Sequence, residues 1–125
     1  MLIVNEFTEK LTENEKRLYD GLLRMIVHPG QVLHLYPMTM RLREDPEVGL
    51  DNQAVSAGMY NALDAMVAEG LLKKIPLFYD AQDEVHFLSE EDYAEYLESG
   101  ELYHPESGEV MKNTQVLFQW EVVER

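Results

Sequence analysis

Apolar residues recur every three or four positions between residues 51 and 74, which is the period of an amphipathic helix. Asp51 is a suitable N-cap, because its carboxylate can accept a hydrogen bond from an amide of the first helical turn. Gly70 stands where a left-handed glycine commonly ends a helix. We therefore predict one long helix that ends at Gly70 and is followed by the start of a strand. The side chains predicted to be buried are Val55, Met59, Leu63, Met66 and Val67.

Two shorter helices are predicted before this segment. Thr12 and Glu15 have the spacing of a capping box, so the first helix should begin directly after Thr12 and end before the His-Pro-Gly sequence at 28–30. The second helix starts at Pro37, since proline fits the first position of a helix. A short strand or loop lies between them. The predicted buried side chains are Tyr19, Leu22, Leu23 and Ile26 in the first helix and Met38 and Leu42 in the second.

The alternating pattern of residues 71–88 predicts a β-hairpin. Its turn is expected at residues 80–83. Pro76 favours an edge position for the first strand, because proline has no amide hydrogen to donate to a neighbouring strand. After the hairpin, Ser89 and Asp92 have cap spacing and predict a short helix. The buried side chains predicted for that helix are Tyr93 and Leu97.

A second hairpin and a final strand are predicted for the rest of the chain. Pro105 and Gly108 favour a tight turn between two short strands. Residues 116–122 then alternate between apolar and polar side chains, which is the pattern of a strand with one buried face.

The central segment resembles the third helix and following strand of a winged helix-turn-helix domain. A segment of the type AVSxxLxxLxxxGLLxK is common in that family, and the matching residues here are Ala54, Val55, Ser56, Leu63, Met66, Gly70, Leu71, Leu72 and Lys73. The resemblance covers about residues 8–89 and implies a winged-helix-like three-helix core with a β-hairpin wing. Adding a C-terminal short helix and β-hairpin at 90–125, we predict a single α+β domain over residues 1–125.

Charge is the most unusual global property of the chain, whose 24 acidic and 10 basic side chains give a net charge of −14. The excess is concentrated in the C-terminal half, because residues 80–109 contain 11 carboxylates and no lysine or arginine. Such a surface repels nucleic acid and anionic membranes and attracts basic partners. A solvated acidic face that only keeps the protein soluble is the alternative explanation.

At 125 residues the chain is long enough for one hydrophobic core. It contains no cysteine, which excludes disulfides and thiolate zinc sites and suits a reducing compartment. The first ten residues lack the basic region of a signal peptide, and no apolar stretch approaches the length of a membrane span. We therefore expect a cytoplasmic protein that does not bind membranes.

The function favoured by these observations is non-catalytic. We expect a small acidic regulator or adaptor that binds another macromolecule, mainly a protein with a basic surface. Tyrosine and methionine are common anchors in protein interfaces, and an acidic rim steers a basic partner. Ordinary core packing of the aromatic side chains is the alternative. The candidate partner-binding residues are Tyr79, Asp80, Asp83, Glu84, Tyr93, Tyr96 and Tyr103.

The second hypothesis is a winged-helix transcriptional regulator that binds DNA. In helix-turn-helix proteins the start of the recognition helix enters the major groove, where amide and hydroxyl side chains can contact base edges. Phosphate contacts require cations, however, and residues 51–72 contain none, while the expected wing at 80–84 is acidic. The candidate DNA-binding residues are Arg41, Arg43, Asn52, Gln53, Ser56, Lys73 and Lys74.

Two further alternatives follow from the C-terminal half of the chain. Its carboxylates could imitate the phosphates of a nucleic acid, so that the protein inhibits a DNA-binding protein, as small acidic proteins of phages and mobile elements can. An exposed sheet edge at residues 115–123 could also pair with a second copy and form a homodimer.

Candidate chemistry is sparse. The sequence has no nucleophile elbow, no glycine-rich phosphate loop and no HExxH motif, so we predict neither enzymatic activity nor a cofactor. His86 and His104, together with a nearby carboxylate, would form a metal site only if the two hairpins meet. Surface or turn histidines are the expected alternative, and no metal site is predicted.

Overall fold

The computed structural model describes residues 9–111 and 114–123, and it has the α+β architecture expected from the sequence. The helices are α1 (Glu13–Met25), α2 (Leu35–Glu44), α3 (Asn52–Ala68) and α4 (Glu90–Ser99). The strands are β1 (Val32–His34), β2 (Leu72–Tyr79), β3 (Val85–Phe87) and β4 (Leu117–Val122). They form one antiparallel sheet in the order β1-β4-β2-β3.

The described residues fall into two compact units. The first unit comprises residues 9–74 and 120–123, and it contains α1, α2, α3 and β1. The second unit comprises residues 75–111 and 114–119, and it contains β3 and α4. Strands β2 and β4 contribute residues to both units.

Helix α1 begins with the capping box expected from the sequence. The amide of Glu15 donates to Thr12 Oγ1 at 3.2 Å, and the amide of Thr12 donates to Glu15 Oε1 at 2.8 Å. These two bonds satisfy amides that the helix itself leaves without a partner. The start of α1 is therefore determined by four consecutive residues.

The buried stripe of α1 differs in part from the expected one. Leu23 is 41% exposed, because it follows the buried Leu22 by one residue and is turned away by about 100°. Ile26 is half-buried and lies at the C-cap rather than inside the helix. The buried apolar side chains are Leu18, Tyr19, Leu22 and Met25.

Helix α3 has the caps and the buried face expected from the sequence. Asp51 Oδ1 accepts from the amide of Ala54 at 2.7 Å, and Gly70 adopts a φ of 79° after the last turn. Gly58 lies where α3 packs against α1, and a Cβ atom there would be 2.6 Å from Leu18 Cδ1. Val67 is half-buried. The buried predicted positions are Val55, Met59, Leu63 and Met66.

Strand β4 is an interior strand of the sheet, with β1 and β2 as its neighbours. The amide of Val122 donates to the carbonyl of Gln31 at 2.9 Å, and the amide of Val123 donates to the carbonyl of Leu71 at 3.0 Å. The expectation that residues 115–123 form an exposed edge for a homodimer is therefore wrong.

Strand β2 is also interior, since it lies between β4 and β3. The edge position expected from Pro76 is therefore wrong. The carbonyl of Pro76 accepts a hydrogen bond from the amide of Leu88 at 3.0 Å. Both errors have one cause. A strand from the C-terminal end joins the sheet beside β2, and a pairing between segments so distant in sequence leaves no local pattern.

The second unit contains two hairpins and α4. Strands β2 and β3 pair antiparallel, and a smaller hairpin is closed by the bridge between Tyr103 and Val110. Ser89 is the N-cap of helix α4, and its hydroxyl accepts from the amide of Asp92 at 3.1 Å, as expected. The expected burial of Leu97 is wrong, because 66% of this residue is exposed. The buried apolar residues in the described part of the second unit are Leu77, Phe78 and Leu102.

Candidate functional site

The start of α3 carries the side chains that the DNA hypothesis places in the major groove. Asn52, Gln53 and Ser56 are exposed there. Arg43 reaches them from α2 and donates from Nη2 to Ser56 Oγ at 2.6 Å, while its buried Nε has no acceptor among the described residues. Arg41, on the same helix, is exposed. Arg43 is therefore a cation beside these polar side chains, and its contact is with Ser56.

The two candidate lysines lie beyond the other end of α3. Lys73 is exposed and Lys74 half-buried at the start of β2, and the helix from Ser56 to Ala68 is about 18 Å long. Lys73 borders a cleft that also contains Glu121. The residues of α3 itself include no lysine or arginine.

Asp80 is a buried carboxylate at the turn between β2 and β3, and its side chain is 3% exposed. Its Oδ1 accepts from the amides of Gln82 at 2.9 Å and Glu84 at 3.0 Å, so it closes the turn. Its Oδ2 lies 2.7 Å from His86 Nε2 and 3.3 Å from His104 Nε2. The sequence-based assignment of Asp80 to a partner-binding surface does not agree with this burial; Asp80 is an internal acceptor.

These donors stabilise the ionised form of Asp80. The hydrogen bond from His86 is the largest cause, the amide of Glu84 is the next, and together they hold the pKa of Asp80 far below its ordinary value of 3.8 despite the opposing effect of burial. The carboxylate is therefore ionised at neutral pH.

Two hairpins meet at this carboxylate. His86 lies in β3 opposite Phe78, and the two rings stack with their centroids 5.2 Å apart. His104 comes from the smaller hairpin, and its ring lies edge-on to His86 at a centroid distance of 4.6 Å. The two hairpins thus meet, which is the condition for a metal site, and two histidines expected at the surface or in turns share one buried carboxylate.

The position of the ring proton on His104 follows from its partners. Nδ1 accepts from the backbone amides of Glu106 at 3.1 Å and Ser107 at 3.3 Å. An imidazole nitrogen that accepts cannot carry the proton, so the proton is on Nε2 and is donated to Asp80. We call Asp80, His86 and His104 the Asp-His-His cluster.

Helix α4 carries five of the 11 acidic residues of the second unit. None of its ten residues is buried. Tyr93 and Tyr96 are half-buried with ring centroids 6.3 Å apart, and the Tyr93 ring lies edge-on to Phe118 at 5.7 Å. Leu97 is exposed beside them. The acidic residues of the helix are Glu90, Glu91, Asp92, Glu95 and Glu98.

The other candidate partner-binding residues are at the surface. Tyr79 is 50% exposed, and Asp83 and Glu84 are exposed in the same turn as Asp80. Tyr103 is 47% exposed and donates to Glu101 at 2.5 Å, and this bond raises the pKa of Tyr103. Of the seven candidates, Asp80 alone is buried.

No protein-family model, curated protein or solved structure matches this chain. Among the described helices, none combines the length and the apolarity needed to cross a membrane. The resemblance to winged helix-turn-helix domains therefore stays a prediction from the sequence pattern.

Proposed function

We propose that this chain is a non-catalytic cytoplasmic regulator or adaptor that binds a protein with a basic surface through its second unit. Helix α4 is the observation that carries the proposal. It buries none of its residues, and it exposes Leu97 next to five acidic side chains. A helix with this surface offers an apolar contact surrounded by negative charge, which suits a basic partner.

The stability of the helix explains the acids in the first turn of α4 but not the two acids further along it. Acids in the first turn are favourable, because the amino end of a helix carries partial positive charge. Glu98, however, lies in the last turn, where a negative charge costs about 0.3–1 kcal/mol, and Glu95 is spaced so that the two carboxylates repel each other. A basic partner would relieve both costs.

Long-range attraction supports the same assignment. The segment Ile75–Gln119 has 11 acidic residues and one lysine, and therefore a net charge of −10. Such a field accelerates encounters with a positive partner, while exposed aromatic and aliphatic side chains such as Tyr79 and Leu97 supply contacts after encounter.

DNA binding by the first unit is the alternative, and nucleic-acid mimicry is a special case of the proposal. The DNA alternative is supported by the polar side chains at the start of α3 and by Arg43. Helix α3 itself carries none of the cations that phosphate binding requires. In the mimicry case the basic partner is a DNA-binding protein, and duplex DNA would compete with this chain for it.

We expect the double variant Glu95→Gln, Glu98→Gln to bind a labelled lysine- and arginine-rich peptide about fivefold more weakly than the unchanged protein. The variant removes attraction while it raises the free energy of unfolding by about 0.3–1 kcal/mol, because it removes unfavourable helix-end charges. Fluorescence anisotropy measures the affinity, and urea unfolding measures the stability.

The matched control is Glu13→Gln, Glu44→Gln, which removes the same charge from exposed positions of the first unit. We expect this control to weaken peptide binding less than twofold. We expect Leu97→Ser to weaken peptide binding, as the α4 double variant does. Equal losses for the two double variants, with no effect of Leu97→Ser, would show a general charge effect and would remove the proposal.

A further inference from the structure

The Asp-His-His cluster places three potential metal ligands around one point. Asp80 Oδ2, His86 Nε2 and His104 Nε2 all lie within 4.8 Å of one another. All three residues belong to the second unit, in two hairpins that are joined by α4. We propose that this cluster binds one divalent transition-metal ion of the Zn²⁺ class. The proposal does not depend on the proposed function.

Of the two ring distances to Asp80 Oδ2, one matches the ligand separation around a bound ion and the other is shorter. Zinc binds imidazole nitrogen and carboxylate oxygen at about 2.0–2.2 Å, so two ligands of a tetrahedral site are about 3.3 Å apart. The separation of 3.3 Å between Asp80 Oδ2 and His104 Nε2 already has this value. His86 Nε2, at 2.7 Å from the same oxygen, has to move outward by about half an ångström.

The carboxylate is held in position before any ion arrives. Amides of Gln82 and Glu84 bind Asp80 Oδ1, which leaves Oδ2 directed at the two rings. Ligands held by such outer partners lose little freedom when the metal binds. The side chains of His86 and His104 are 11% and 16% exposed, so an ion can reach them.

A place for further ligands lies beside the cluster. A cleft of about 660 Å³ is bordered by Asp80, His104 and the acidic residues Glu84, Glu106 and Glu109. Water can therefore complete the coordination of an ion held by the three protein ligands.

Metal binding requires a change of proton position on both rings. Each Nε2 must lose its proton to become a ligand, and a neutral ring then carries its proton on Nδ1, so no net proton is released. For His104 this breaks the bonds from the amides of Glu106 and Ser107. Both residues are exposed, so water can accept from these amides instead, and the cost is a local opening of the turn.

The ligand set indicates the class of ion. Imidazole with carboxylate suits zinc and its neighbours among the divalent transition metals, whereas Mg²⁺ and Ca²⁺ prefer oxygen ligands alone. Excess Mg²⁺ therefore occupies exposed carboxylates of this acidic protein without competing for a site built on two histidines. This difference separates the cluster from the general acidic surface.

The test is a titration of the full chain with Zn²⁺ and with Co²⁺ in buffer that contains excess Mg²⁺. We expect one equivalent to bind, with visible absorption of low-symmetry Co²⁺ that Zn²⁺ abolishes. His86→Gln and His104→Gln should each weaken binding at least tenfold. His34→Gln is the matched control, because this exposed histidine makes no side-chain cap bond, and it should bind as tightly as the unchanged protein.

Failure to bind one equivalent in the presence of Mg²⁺, or equal losses in all three histidine variants, overturns the proposal. A measurement on the unchanged protein covers the case in which a variant unfolds. Zn²⁺ should shift the ring nitrogen resonances of His86 and His104 in NMR spectra, and leave those of His28 and His34 in place. Shifts at all four rings, or at none, also overturn it.

Discussion

Replacing Trp120 with alanine is expected to lower the free energy of unfolding by about 3–5 kcal/mol, the range typical of removing a large aromatic side chain from a core. Trp120 lies in β4, is 1% exposed and faces Tyr60 at a ring-centroid distance of 6.4 Å. The loss combines the lost burial with the cavity that remains. Because this residue is the sole tryptophan of the chain, urea unfolding is followed by far-UV circular dichroism.

Two variants control for this experiment. Trp120→Phe keeps an aromatic ring and removes the indole N–H, which is buried and has no acceptor among the described residues, so we expect a smaller loss than for alanine. Tyr36→Ala removes an aromatic side chain that is 73% exposed and should change the free energy of unfolding by less than about 0.5 kcal/mol. Equal effects of Trp120→Ala and Tyr36→Ala would contradict the packing described for β4.

The second large effect is expected for Asp80→Asn, which should raise the unfolded fraction of the second unit about tenfold or more. The Asp80 carboxylate faces four donors, namely the amides of Gln82 and Glu84 and the rings of His86 and His104. Asparagine has the same shape but one acceptor atom, and its amide group adds donors where only acceptors fit. Backbone hydrogen exchange in the second unit measures the change.

The effect of Asp80→Asn should depend on pH. Because His86 and then the amide of Glu84 lower the pKa of Asp80 from 3.8, its stabilising contribution is fully present above about pH 4. It declines as the pH falls through the lower folded-state pKa, so the difference between variant and unchanged protein should shrink there. Asp83→Asn is the control, since asparagine tolerates the φ of 60° at this exposed position. An equal effect of the two variants would contradict the role given to Asp80.

Local chemistry explains why the starts of α1, α3 and α4 were predictable, whereas α2 begins at Leu35 and not at the expected Pro37. Each of the three predictable helices begins with hydrogen bonds between residues three positions apart, so the caps depend on the local sequence alone. The capping residues are Thr12 with Glu15, Asp51 and Ser89. The stripe of α3 was predictable for a related reason. Its apolar positions follow the helical period across 17 residues, which is long enough to fix the buried face.

Contacts between distant segments explain what the sequence did not reveal. Strand β4 lies between β1 and β2 in the sheet. No local sequence pattern indicates these two neighbours. Leu97 is exposed because the covered side of α4 is that of Tyr93 and Tyr96. The apolar pattern of so short a helix does not indicate which side is covered.

The candidate site was half predictable. Asp80 begins a tight turn, where aspartate commonly accepts from amides a few residues on, and this signal could have identified its internal bonds. His86 and His104 were visible as potential ligands on two hairpins. Their meeting is a property of the folded chain, because 17 residues, including those of α4, lie between them.

The most direct test of the central claim, that charge directs this chain to basic protein surfaces rather than to DNA, is a titration with labelled random-sequence duplex DNA at low and moderate salt. Proteins that bind DNA without sequence preference have dissociation constants of about 10⁻⁴–10⁻⁶ M at physiological salt. We expect no saturation of the DNA at protein concentrations below about 10⁻⁴ M, even at low salt. Micromolar binding that weakens steeply as salt is added would contradict the account.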